Sequence, residues 1–88
     1  MLRERDIERY LVERTRALGG EVRKLKWIGR NGAPDRIVML NGKVMFIELK
    51  APGKPCQPHQ LREHERMRRL GQSVVVADSF EQINEALA

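Results

Sequence analysis

The sequence predicts one small α/β domain with elements in the order α-β-β-β-α-β-α, a small mixed sheet carrying helices on both faces. Three observations lead there. Asn41-Gly42 separates two apolar runs, Arg36–Leu40 and Lys43–Leu49, and this dipeptide between such runs is the strongest local sign of a β-hairpin. Two stretches with helical apolar period, Glu4–Leu18 and Pro58–Leu70, lie on either side of it. Val74-Val75-Val76 then gives a short buried strand after the Gly71 stop.

The first helix places Ile7, Leu11 and Leu18 on one stripe, with Gly19-Gly20 as its end. Glu8 falls on the buried side of that stripe and Glu4 one turn earlier, whereas Asp6 and Glu13 point outward. A carboxylate facing inward needs a partner. From the residues alone Glu8 is either a site acid or the partner of a nearby arginine, and Glu4 a favourable charge in the first turn. Glu21–Ile28 reads as the first strand, an edge strand given Arg23, Lys24 and Lys26. Gly29-Arg30-Asn31-Gly32 is a loop, in which Arg30 either contacts phosphate or is simply solvated. Pro34 pushes Ala33 into an extended conformation and so delivers Asp35 to the next strand.

A two-residue turn fixes the register, so that facing residue numbers sum to 83 and Asp35 comes opposite Glu48. Opposed side chains stand about 4.5–5.5 Å apart at Cβ, where like charges repel. Two carboxylates so placed ask for a cation between them. Lys50 lies two residues past Glu48, hence on the same face. Both faces of the hairpin are apolar, Ile37, Met39, Val44 and Phe46 on one and Val38, Leu40, Met45, Ile47 and Leu49 on the other, so cover is expected on both sides. In the second long helix, opened by Pro58, the residues Gln60, His64, Met67 and Gly71 share the sheet-facing side. His64 reads as a hydrogen-bonded core residue. His59 and His64 are five apart, the wrong spacing for two ligands on one helix face. Ser79 to Gln82 reads as a capping box opening a last helix with Phe80, Ile83 and Leu87 apolar.

The 88 residues make one domain, 1–88, which buries only about 60–65% of its unfolded surface. With 33% charged and 41% hydrophobic residues it is a globular rather than a disordered chain. A net charge of +5 and a pI near 10.0 point to a polyanion as partner. Eight of its basic residues fall between Arg23 and Lys54, and none follows Gly71, so the polyanion should meet the hairpin side. Lys24, Lys26, Arg30, Arg36, Lys54 and Arg62 are the expected DNA contacts, with Arg66 and Arg69 near the same exposed side. A lone cysteine, Cys56, excludes an internal disulfide and a four-cysteine metal site. No apolar stretch is long enough to span a bilayer, and no membrane partner is expected.

Asp35 after Pro34, with Glu48-x-Lys50 on the next strand, resembles the PD-(D/E)xK nuclease superfamily. More specifically, Gly32-Ala33-Pro34-Asp35, the run Phe46 to Gly53, and Gln60, His64 and Gly71 look like the virus-type replication-repair nuclease (VRR-NUC) family, over Glu4 to about Ile83. The resemblance implies a restriction-endonuclease-like core and a Mg²⁺-dependent endonuclease, with Mn²⁺ able to substitute. It implies Asp35, Glu48 and the main-chain carbonyl of Leu49 as metal ligands, and an acid of the first helix, Glu8 by its spacing to Gly19 or alternatively Glu4, as ligand of a second metal or of its waters. Lys50 would position or deprotonate the attacking water or stabilise the transition state, and Gln60 would orient nucleophile or phosphate. Stand-alone members resemble Holliday-junction resolvases, so branched DNA and a homodimer are expected, in the cytoplasm of a bacterial or phage-infected cell. A nuclease for linear duplex or flap DNA, and a non-catalytic DNA-binding module, are the alternatives.

Overall fold

Asn41 and Gly42 both take the left-handed backbone region, at φ 53° and 73°, as a two-residue reversal between twisted strands requires. The computed structural model describes residues 1–88. Its elements are α1 (Glu4–Ala17), β1 (Glu21–Lys24), β2 (Arg36–Leu40), β3 (Lys43–Leu49), α2 (Pro58–Arg69), β4 (Val74–Ala77) and α3 (Phe80–Leu87). The strands form one sheet in the order β1-β2-β3-β4. The first two pairings are antiparallel and the third is parallel. The sheet is therefore mixed, and α2 is the crossover that a parallel pair needs. Every β2–β3 pair, from Leu40↔Lys43 to Arg36↔Ile47, sums to 83 as the turn dictates.

Because successive strand residues alternate faces, one face of the hairpin carries Val38, Ile47 and Leu49. These join Ile7 and Leu11 of α1, Ala77 of β4, and Ile83 and Leu87 of α3 in the main core. Five of the eight, Ile7, Leu11, Ile47, Ala77 and Ile83, have lost all solvent contact, and they come from four different elements of the fold. The inward place on the last turn of α1 is taken by Thr15, whereas Leu18, expected on the stripe, sits at the C-cap and is 44% exposed. The opposite face receives only α2, through His64 and Met67. Cover there is uneven: Met39 and Val44, at the turn end of the hairpin, remain 37% and 47% exposed. One short helix is not wide enough to shield both ends of a four-stranded sheet.

β1 stops at Lys24, four residues before the sequence reading ends it. The Leu25 N–H still donates to the Asp35 carbonyl at 2.9 Å, but Trp27 then swings out and donates its indole N–H to the Pro34 carbonyl at 2.7 Å. The loop after it runs to Gly32, at φ +83°, where a Cβ would come within 2.6 Å of the His59 carbonyl oxygen. Glycine is thus required both by conformation and by close approach, and the contact ties the first turn of α2 to the segment leading into Asp35. The last helix is capped differently from the predicted box. Ser79 accepts from the Gln82 N–H at 3.2 Å, but the Gln82 side chain accepts from Asp78 N–H rather than from Ser79.

The uneven cover gives a contrast to test. Ile47→Ala should cost about 2–5 kcal/mol in urea unfolding, as for a fully buried aliphatic side chain, and Val44→Ala within about 0.5 kcal/mol. Equal losses would contradict the assignment of the two faces.

Candidate active site

Glu48 is the penultimate residue of β3 and only 7% exposed. Taking a carboxylate out of water penalises its charged form, and burial is the main reason its pKa is pushed up to about 7. The charge of Asp35 pushes in the same direction, Lys50 pulls the other way, and Glu4 adds a further upward push. Asp35 lies just before the first residue of β2, where the loop hands over to the ladder. Its Oδ2 faces the Arg36 guanidinium at 2.8 Å, while its Oδ1 is shut off from solvent and has no hydrogen-bond partner. The two acids expected from the register thus act on one another, at the end of the hairpin away from the turn. The folded value of Glu48 lies above the ordinary 4.5. Its contribution to stability is therefore fully present below about pH 4.5 and lost as pH rises through about 7.

Arg36 was expected to meet DNA. It is instead 8% exposed and locked between two carboxylates, donating to Glu8 of α1 and paired with Asp35. Its place opposite Ile47 turns it toward the face that α1 covers. Burial opposes the charge, but Glu8 and Asp35 outweigh it, so its pKa is raised and it stays a cation. Glu8 accordingly has the arginine partner that the sequence left open, with Lys24 a second cation at 3.9 Å. Glu8 reaches the acid pair through Arg36, whereas Glu4 is the α1 acid whose field is felt at Glu48.

Lys50 follows β3 directly, its N–H bonded to the Ala77 carbonyl at 3.0 Å and its side chain free of ion pairs. Leu49 between them is 3% exposed, its side chain in the main core. Gln60 stands in the first turn of α2, and its Oε1 accepts from the Gln57 N–H at 2.8 Å. This capping contact fixes the residue beside the Gly32 loop and leaves its amide N–H groups unused. Lys26, Arg30, Lys54 and Arg62 are exposed, as DNA contacts must be, and so is Lys24.

Two residues on α2 exceed what the sequence revealed. His64 has no solvent contact, lies 3.8 Å through Nε2 from Glu48 Oε1, and has no hydrogen bond at either ring nitrogen. Burial first, then Arg68, lowers its pKa, so the imidazole next to Glu48 is neutral near pH 7. The expected core histidine is core, and the Gly32 backbone is the polar group that faces its ring. Glu63 is 5% exposed and paired with Arg66 at 3.1 Å and Arg30 at 3.8 Å. The sequence reading did not name it, although it lies three residues after Gln60 and four before Met67, which the helical period puts on the same inward side.

No group of three or more His, Cys, Asp or Glu side chains is gathered closely enough to hold a metal by itself. Two carboxylates with an unpartnered buried oxygen, however, are the minimum that a hard, well-hydrated dication uses. No family model matches the chain. It is 50% identical over 80 residues to "Putative nuclease p44" of Acyrthosiphon pisum secondary endosymbiont phage 1, spanning 90% of this chain and 86% of that protein. A solved structure described as "VRR_NUC domain" superposes with a TM-score of 0.83 at 48% identity, covering 93% of this chain and 90% of that one. The chain belongs to the VRR-NUC family. The acids, lysine and glutamine described above are thus the side chains of a VRR-NUC nuclease domain, built on the mixed four-stranded sheet of that fold. No helix of this VRR-NUC domain is long and apolar enough to cross a membrane.

The Arg36 clamp can be tested without substrate. Arg36→Ala strips both Glu8 and Asp35 of their shared cation and should cost about 2–3 kcal/mol in urea unfolding. A loss below about 0.5 kcal/mol would show that the clamp holds nothing.

Proposed function

We propose that this VRR-NUC domain is a Mg²⁺-dependent, structure-selective DNA endonuclease. It hydrolyses phosphodiester bonds of branched DNA such as Holliday junctions, in the replication, repair or recombination of a bacterial or phage-infected cell. The observation that carries the reading is the pair Asp35 and Glu48, two acids in mutual repulsion, Glu48 nearly dry and Asp35 half-exposed with one oxygen shut off from solvent, with Lys50 alongside. A dication removes the cost of keeping both ionised.

Asp35 and Glu48 would hold the metal, with the Leu49 carbonyl as a third ligand and waters and a phosphate oxygen completing the shell. When bound, Mg²⁺ (or Mn²⁺) lowers the pKa of a coordinated water and neutralises charge developing at phosphorus. Arg36 keeps Asp35 oriented from the α1 side of the sheet. The Lys50 ammonium, which has no carboxylate partner within salt-bridge distance, is available to the attacking water or to the phosphorane charge. Gln60, pinned by its cap contact, offers amide N–H groups to a phosphate oxygen or to the nucleophile. The neutral, fully buried His64 holds solvent away from one side of Glu48. Of the α1 acids, Glu4 would reach a second metal or its waters directly, and Glu8 would act through Arg36.

Lys24, Lys26, Arg30, Lys54 and Arg62 form the exposed basic surface that would follow the backbone; with Arg36 spent internally, they carry the electrostatic part of binding. A four-way junction presents two equivalent strands, and a two-fold homodimer would present two sites to them. A monomer by light scattering at micromolar concentration would remove this two-strand part of the reading.

The test is cleavage of a four-way junction and of linear duplex with the same arm sequence, in Mg²⁺. The junction should be cut faster. Asp35→Ala and Glu48→Ala should each lower the rate by a factor on the order of 10³ or more while leaving DNA affinity within a few-fold. Strong residual cutting by both variants refutes the metal-seat role. Faster cutting of linear or flap DNA replaces the branched substrate, and binding without cutting by the unmodified chain leaves a DNA-binding module.

A further inference from the structure

A second cleft, of about 300 Å³, opens on the same sheet face as Glu48. Trp27 and Phe46 form its aromatic side, their ring centroids 5.8 Å apart and the planes tilted by 54°. Met67 and Leu70 of α2 form the facing wall, Leu70 with three quarters of its surface in solvent. The Trp27 indole N–H is already spent on the Pro34 carbonyl at 2.7 Å. That bond fixes the ring and leaves its half-exposed π-face as what it can offer. The cleft is not purely apolar. Arg30 and Arg66 reach into its lining, and the nearly buried Glu63 lies between them. Both arginines engage Glu63 through Oε1; no hydrogen bond within the protein uses Oε2.

We propose that this cleft takes a single unpaired nucleobase of the bound DNA strand. The flat base would stack on Trp27, an exocyclic amine or ring N–H would donate to Glu63 Oε2, and Arg30 and Arg66 would face the flanking phosphates. The inference deepens the nuclease reading and rests on its claim that the polyanion is DNA. Placement supports it: Phe46 precedes Glu48 by two residues on β3, about 6.7 Å along the strand. That is about the rise of two stacked nucleotides at 3.4 Å each. A base lodged here would therefore belong to a nucleotide within about two of the scissile phosphate, and only an unstacked base can enter. Flaps and single strands supply such bases, a junction supplies one where a pair opens at its branch point, and a closed duplex supplies none, which gives selectivity for DNA shape without a base-reading helix. A second copy of this chain fits less well, because its apolar side chains would leave Glu63 and the two guanidinia without new partners.

Trp27 is the one tryptophan of the chain, so its emission reports on the cleft alone. The full chain is titrated, free of divalent metal, with an end-labelled single-stranded DNA 12-mer, with a strand of equal length made wholly of abasic residues, and with blunt duplex. Label anisotropy follows total binding in parallel. The single strand should quench Trp27 saturably, and the abasic strand and duplex should bind without quenching. Trp27→Ala should lower single-strand affinity about tenfold. In case that variant unfolds, Leu70→Glu, at an exposed position on the rim, should weaken quenching by a similar factor. Binding with equal emission change for base-bearing and abasic strands overturns the proposal. So does emission that shifts with protein concentration before any DNA is added, which would mean a second copy covers the cleft. An absence of all binding by anisotropy overturns the cleft and the DNA reading together. Because no metal is present, the cleft can fail here while the nuclease reading stands.

Discussion

Glu48 sits almost dry at the end of a strand, within the field of Asp35, and the rest of the domain keeps it there. Burial alone would make it protonate, and a neighbouring carboxylate adds to that tendency. The α1/α3 side supplies a tightly packed core under Ile47 and Leu49, the residues on either side of Glu48. The α2 side supplies His64, a neutral, fully buried ring that excludes water without adding charge. Under the proposed function a small dication would relieve that cost, and the free Oδ1 of Asp35 would offer it a second oxygen.

Charge balance around the pair is asymmetric. On the α1 side, Arg36 is consumed by Glu8 and Asp35 and belongs to the scaffold. On the strand end, Lys50 carries the one ammonium near Glu48 that has no ion-pair partner. A cation locked into the scaffold and an unpaired one thus occupy opposite faces of the same hairpin end. The arrangement follows from alternation: Arg36 pairs with Ile47 and shares its face, whereas Lys50 shares the face of Glu48.

The hairpin was legible because its determinants are local. Asn41-Gly42 sets the turn, the turn sets the register, and the register brings Asp35 toward Glu48 before any tertiary contact is known. The helix limits were legible for similar reasons, through Pro58, Gly19 and Gly71. What escaped depends on contacts distant in the chain. Arg36 looks like any other arginine on a basic strand until α1 closes over it with Glu8, 28 residues away. The early end of β1 depends on Trp27 finding the Pro34 carbonyl. Glu63 shares the inward side of α2 with Met67, but a charged residue there reads as solvated until Arg66 and, from a distant loop, Arg30 are seen to meet it. The open turn end of the sheet follows from the length of α2 against the width of the hairpin, which a pattern of apolar residues does not encode.

The most direct test of the account is a pH titration of the Glu48 side-chain carboxyl by ¹³C NMR, with and without Mg²⁺. In metal-free protein the resonance should titrate near pH 7, and millimolar Mg²⁺ should move the midpoint downward as the ion competes with the proton. A midpoint near the ordinary 4.5 that Mg²⁺ leaves unchanged would contradict the account.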